Sequence, residues 1–225
     1  MIKKHFGFTL AEVLITLGII GVVAAITIPG LMTAHKAHRY RSQFLKSYST
    51  IQQVFKQMES DDVSLDPSTY ATGTFYKTFG QYLQAPRYCY RSATDKQCFS
   101  GTSSGEQYKS LDGKATVAYN WFDDGQIALQ DGTLIMFENY TDINQLWISV
   151  DLNGFNNLPN RWGYDLFTFE FLDGELRTMG DKETKYNNTD QYCNPNKSSA
   201  LNGIACAHKA KTESDYFKDI IKRYK

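Results

Sequence analysis

Glu12 stands near the start of an uncharged apolar run, residues 13–34, in a chain of 225 residues. An unpaired carboxylate in lipid costs on the order of 2.5–3.5 kcal/mol or more, so Glu12 calls for a cationic partner. Four cysteines offer a second chemistry and allow three pairings. Eight residues separate Cys89 from Cys98, and twelve separate Cys193 from Cys206; these local spacings predict two disulfides. Each would pin a loop rich in Gly, Ser, Asn and Lys, adding about 2–4 kcal/mol by restricting the unfolded chain. Zinc is the rival, but there is no Cys-x-x-Cys pair to hold it. Paired cysteines imply an oxidising compartment outside the cytoplasmic membrane.

Oxygen ligands come from Asp151-Leu-Asn153-Gly154 and Pro159-Asn160-Arg-Trp162-Gly163-Tyr-Asp165. Asp and Asn alternating on a glycine turn present oxygens to calcium, here from Asp151, Asn153 and Asp165. The same residues also make Asx turns that satisfy their own backbone. The glutamate of an EF-hand is missing, because Trp162 occupies its position. Gly101-Thr-Ser103-Ser-Gly105 matches a nucleophile-elbow string, yet no strand precedes it and no helical pattern follows. His208 is the one histidine beyond residue 38 and lies in a polar tail, where a solvated side chain is expected. No phosphate-cradling loop or metalloprotease helix appears, so the expectation is no enzyme and no cofactor other than calcium.

The elements that hold these residues follow from charge and periodicity. Twenty-four basic residues balance 24 acidic ones, which argues against a nucleic-acid partner, and 14% aromatics argue against a disordered chain. At 1.5 Å per residue, residues 13–34 are long enough to cross a bilayer. A short basic leader with Lys3 and Lys4 precedes them, and Thr33-Ala34-His35-Lys36 is a poor cleavage site behind them. Gly18, Gly21, Ala24 and Ala25 make a small-residue face suited to close helix packing. After Pro29-Gly30, the residues Phe44, Tyr48, Ile51, Phe55 and Met58 form one apolar stripe. One helix is therefore predicted from Thr9 to about Met58, about 75 Å long and kinked at Pro29. It stops near Glu59-Ser60-Asp61-Asp62. Residues 115–122, 127–130, 134–138, 146–152 and 166–172 read as strands, with Asp124-Gly125, Asp131-Gly132 and Asp173-Gly174 as turns. Thr212-Glu-Ser-Asp215 opens a short final helix carrying Tyr216, Phe217, Ile220 and Ile221. The predicted class is α+β: a long amino-terminal helix whose outer half packs on an antiparallel sheet.

Gly7-Phe8-Thr9-Leu10-Ala11-Glu12, with Pro29 downstream, resembles the processing motif of type IV prepilins and type II secretion pseudopilins. The resemblance implies cleavage between Gly7 and Phe8 by a prepilin peptidase, N-methylation of Phe8 by the same enzyme, and assembly through Glu12 and Pro29. In that scheme Glu12 pairs with the amino terminus of a neighbouring subunit at Phe8. The resemblance also implies a pilin-like fold, and the Cys193/Cys206 pair is similar to the disulfide-closed carboxyl-terminal region of many pilins. The Asp151–Asp165 stretch is similar to a segment that recurs in prepilin-like proteins, some of whose pseudopilin relatives bind calcium.

The expected organisation is a leader over 1–7, a transmembrane and polymerisation helix over 8–34, its amphipathic continuation over 35–62, and a globular domain over 63–225. The expected function is a structural subunit of a type IV pilus or a type II secretion pseudopilus, polymerised with itself or with other pilin subunits. The alternative is a membrane-anchored extracytoplasmic binding or adhesion module that uses the prepilin segment for export. The chain would sit in the cytoplasmic membrane as a single pass, its domain outside, and enter a periplasmic or cell-surface filament. One count opposes this orientation. Lys3 and Lys4 flank the span on the leader side, against Lys36, Arg39, Arg41 and Lys46 on the other. The resemblance and the paired cysteines outweigh it; the basic cluster would lie along lipid headgroups, meet acidic residues of a neighbour, or form a solvated face.

Overall fold

The computed structural model describes residues 7–89, 98–100, 107–140 and 145–224. Most of the leader and the Gly101–Gly105 string lie outside the described residues. Helix α1 runs unbroken over Leu10–Ser60, through Pro29. Its buried positions are spaced by three and four residues, beginning at Thr33, Ala37 and Tyr40 and ending at Phe55 and Met58. Before Thr33 the apolar side chains are exposed, save for the half-buried Ala24. The globular part thus grips α1 from the last turn of the predicted span onward. At the far end Asp61 caps the helix, its N–H donating to Gln57 O, and Asp62 turns the chain at φ +55°.

After the short helix α2 (Phe75–Gly80), the described residues form six strands: β1 (Arg87–Cys89), β2 (Gln126–Ala128), β3 (Leu134–Tyr140), β4 (Gln145–Asp151), β5 (Leu166–Leu172) and β6 (Glu175–Thr178). They pair in sequence order, every pair antiparallel, as one meander. Asp173 and Gly174 take φ of +53° and +78° between β5 and β6, the two left-handed residues that a tight hairpin requires. Helices α3 (Thr189–Tyr192), α4 (Cys206–Thr212) and α5 (Tyr216–Arg223) complete the chain.

Alternate residues of the strands face two cores. On one side Phe137, Ile148, Phe167 and Phe169 meet the stripe of α1; the ring centroids of Phe44 and Phe167 lie 4.9 Å apart, and those of Phe55 and Phe171 4.0 Å apart. On the other, Leu134, Met136, Trp147 and Leu166 are covered by Phe99, Tyr108, Phe122 and Trp162 from the connections. The arrangement is α+β and pilin-like, with a second aromatic layer on the sheet face turned away from the helix.

That layer corrects one strand. Residues 115–122 form no strand; they make a single bridge from Thr116 to Lys109 and a 3₁₀ turn over Tyr119–Trp121. Aromatic and β-branched residues favour a half-buried pleated surface, and here Val117 and Phe122 reach burial in the second core without joining the sheet. The last helix also begins later than expected: Thr212 closes α4, and α5 starts at Tyr216 after Asp215, whose side chain makes no cap bond. Its four apolar residues, Tyr216, Phe217, Ile220 and Ile221, are buried as an amphipathic face demands.

Candidate functional site

The amino-terminal site is built by the first turn of α1. Gly7, Phe8 and Thr9 precede the helix, and Phe8 is exposed. Thr9 is the N-cap: its hydroxyl accepts from Glu12 N at 3.2 Å, while Glu12 Oε2 accepts from Thr9 N and from Thr9 Oγ1, both at 2.8 Å. This capping box satisfies donors that a helix start otherwise leaves open. The Gly7–Phe8 peptide therefore lies in exposed, non-helical chain just ahead of the N-cap. The carboxylate is held within the same turn as the nitrogen that cleavage would free.

Further along, hydroxyls are absorbed by the helix itself. Thr16 Oγ1 donates to Glu12 O, Thr27 Oγ1 to Val23 O and Thr33 Oγ1 to Pro29 O, at 2.9–3.0 Å. Such bonds leave no side-chain hydroxyl unsatisfied in a medium without water. A Cβ placed on Gly18 or Gly21 meets nothing within 4 Å, so neither glycine is required by the packing of a single chain. Each nonetheless costs about 0.8–1 kcal/mol of helix propensity relative to alanine.

In the globular part, Asp151 and Asp165 flank the β4–β5 connection and are fully buried. Asp151 Oδ1 accepts from Asn153 N and Gly154 N, at 3.1 and 2.9 Å, and Oδ2 accepts from the Tyr108 hydroxyl at 2.8 Å. Asp165 Oδ2 accepts from Asn160 N at 3.0 Å and Oδ1 from Arg161 N at 2.6 Å. Burial pushes the Asp151 carboxyl up to about 7. Burial first, and then the Asp151 charge, pushes Asp165 well above the ordinary range. Asn153 and Asn160 donate to Asn157 O and Phe155 O, whereas their Oδ1 atoms are buried without a partner. Among the described residues, no three His, Cys, Asp or Glu side chains converge as a metal centre. The structure thus brings Asp151, Asn153 and Asp165 together at one connection, where both aspartates accept from backbone N–H groups and Asp151 also from the Tyr108 hydroxyl.

Cys193 is bonded to Cys206 and Cys89 to Cys98. The first bridge ties α4 beneath the same loop: a Cβ on Gly163 would lie 2.8 Å from Cys206 Sγ. His208 belongs to α4 rather than to a polar tail, with Nδ1 3.7 Å from Asp181 Oδ2 and 3.4 Å from Thr178 Oγ1. Three buried groups escaped sequence reasoning. Tyr108 lies 43 positions from its partner Asp151. Glu138 and Glu170 share a cross-strand row with Trp147, whose Nε1 donates to Glu170 Oε1 at 3.0 Å. Burial, reinforced by Asp124 and Asp123, pushes Glu138 up to about 9. Their only sequence signal is a charge placed within an apolar strand.

Residues 2–28 match a family described as the prokaryotic N-terminal methylation motif. The chain therefore carries the amino-terminal processing and export segment of prepilins and pseudopilins. Its first helix is long and apolar enough to anchor it in a membrane. No curated protein and no solved structure matches the chain.

Proposed function

We propose that this chain is a structural subunit of a type IV pilus or type II secretion pseudopilus. The observation that carries the reading is the methylation motif over residues 2–28, continuous with a helix whose apolar half is left uncovered by its own fold. In this reading, cleavage after Gly7 frees the Phe8 amine and N-methylation preserves its positive charge. Glu12 then exchanges its bonds to Thr9 for the amine of a neighbouring subunit, a partner that offsets the cost of a carboxylate in lipid. Gly18 and Gly21 let adjacent helices approach closely, which gives a use to glycines that a lone chain does not need. Such a protein is a polymer subunit, not an enzyme, and a separate cytoplasmic motor would supply the work of extraction.

Mass spectrometry of the membrane-extracted protein should find a chain that begins at N-methylated Phe8; an intact Met1 terminus overturns the reading. Glu12→Ala should be processed yet be at least tenfold depleted from purified filaments. Thr9→Ala, which breaks the cap but keeps the carboxylate, should still assemble.

A cleft of about 570 Å³ favours the alternative of an anchored binding module. Arg87 from β1 lines it together with Asn153 and Phe155 from the β4–β5 connection. That alternative gains if the processed chain never enters filaments. Calcium is a narrower proposal, favoured by the orphaned Oδ1 atoms of Asn153 and Asn160 beside the carboxylates of Asp151 and Asp165. Calcium added to chelator-treated protein should then raise its melting temperature; an unchanged value removes the metal.

A further inference from the structure

Bases are concentrated in two stretches of the chain. Residues 13–58 carry five bases and no acid, and residues 206–225 carry six bases against three acids; residues 59–205 carry eleven bases against twenty acids. The two basic stretches pack on each other. The Phe217 ring lies 6.5 Å from that of Tyr40 and 5.9 Å from that of Phe44, and Arg41 Nη1 donates to Glu213 O at 3.1 Å. Earlier in the same stretch, Lys211 Nζ sits 4.2 Å from the Tyr48 ring centroid. The chain therefore descends along α1, from Lys211 at Tyr48 to Phe217 at Tyr40. At the end of α5 the Tyr224 ring centroid lies 4.6 Å from the Arg161 guanidinium, in the same loop as Tyr164, whose ring lies 5.2 Å from Lys36 Nζ and 5.7 Å from the Tyr40 ring. The end of α5, with Lys222 and Arg223, therefore shares this loop with Lys36, where the uncharged run of α1 ends.

The cations gathered there are largely uncompensated. Lys36, Arg39, Lys218, Lys222 and Arg223 are exposed. Among the described residues only Lys218 has a carboxylate within 4.0 Å, that of Asp215. Lys36 lies 5.6 and 5.2 Å from the ring centroids of Tyr40 and Tyr164, which orients its ammonium without neutralising it. Arg223 Nη2 meets the neutral amide oxygen of Asn196.

We propose that this end of the domain rests on the bilayer and binds the phosphates of anionic phospholipids, with α5 as a second point of attachment beside the span. The proposal rests on the reading that residues 13–34 cross the membrane with the domain outside. Position favours lipid over the acidic face of another subunit: the cations sit at the exit of the span and meet headgroups before any assembly takes place. A cation near an anionic surface gains about fivefold in partitioning, so several acting together hold the domain down. The bases that oppose the expected orientation thereby acquire a partner.

The test places the mature chain in nanodiscs of phosphatidylcholine alone or with about 30 mol % phosphatidylglycerol and reads lysine acylation by mass spectrometry. Lys36, Lys218 and Lys222 should react about fivefold more slowly in the anionic discs, with Lys56 and Lys77 unchanged, and about 0.5 M salt should abolish the difference. The doubly substituted Lys218→Glu, Lys222→Glu chain changes only exposed positions and should restore fast acylation of Lys36. Equal rates in both discs, in a chain that co-elutes with them, overturn the proposal. Protection that follows the number of chains per disc rather than lipid charge overturns it in favour of a subunit contact. A chain that enters neither disc overturns the spanning reading, and this proposal with it.

Discussion

At the scale of single residues, the buried carboxylates set a pH dependence that a surface carboxylate would not. Asp151 is pushed up from 3.8 to about 7 and Glu138 from 4.5 to about 9, each chiefly by burial. The folded state therefore holds these protons more tightly than the unfolded chain. Their stabilising contribution is complete below the unfolded values and is lost as pH rises, through about 7 for Asp151 and about 9 for Glu138. Denaturant unfolding of wild type and Glu138→Gln should reveal this directly. The stability difference between the two should shift in favour of the variant from about pH 6 to about pH 9, and a constant difference would count against a buried, protonated Glu138. Asp165→Asn should add a second effect. Both Asp165 oxygens accept backbone N–H bonds, so an amide nitrogen faces a donor whichever way it turns, at a cost of about 1–3 kcal/mol at low pH. Because burial and the Asp151 charge push Asp165 up as well, that cost should shrink as pH rises.

At the scale of elements, the β4–β5 connection and α4 close on each other at Gly163. Its φ is +75°, and an added Cβ would meet Cys206 Sγ at 2.8 Å and Leu111 Cδ1 at 2.9 Å. Gly174 has a similar φ of +78° with nothing within 4 Å. Gly174→Ala should cost about 1–2 kcal/mol for the left-handed backbone alone. Gly163→Ala should cost about 1–3 kcal/mol more for overpacking, read as the larger drop in denaturation midpoint. Equal drops would mean that the loop yields freely. Legibility follows the same local logic. The α1 stripe is readable because its period is that of a helix, and β5 is legible at its observed bounds because six apolar or β-favouring residues, interrupted only by Glu170, run between turn signals. Arg87-Tyr-Cys89 and Glu175-Leu-Arg-Thr178 are short, polar edge strands whose pairing depends on neighbours. In the loop, the Asp and Asn turns could be read as a string, whereas Tyr108 and Glu138 reach their partners only through the folded sheet.

At the scale of the whole molecule, both faces of the sheet are covered, one by α1 and the other by its own connections. Among the described residues, the exposed large apolar side chains accordingly gather in one place, from Phe8 to Met32, with Leu45, Tyr88 and Leu158 isolated elsewhere. This apolar surface is thus separated from the folded domain along the chain, and the two can change independently. The position of α5 couples them in time. Tyr40 and Phe44 emerge early, at the exit of the anchor, but their cover, Phe217, is synthesised after every strand. On the proposed reading, a chain still being threaded across the membrane would keep an open aromatic seam at its base until residues 216–223 arrive. Closure of the inner core would then record that translocation has run through the entire sheet, and an incomplete chain would stay marked as unfinished beside the helix by which the proposed assembly would extract it.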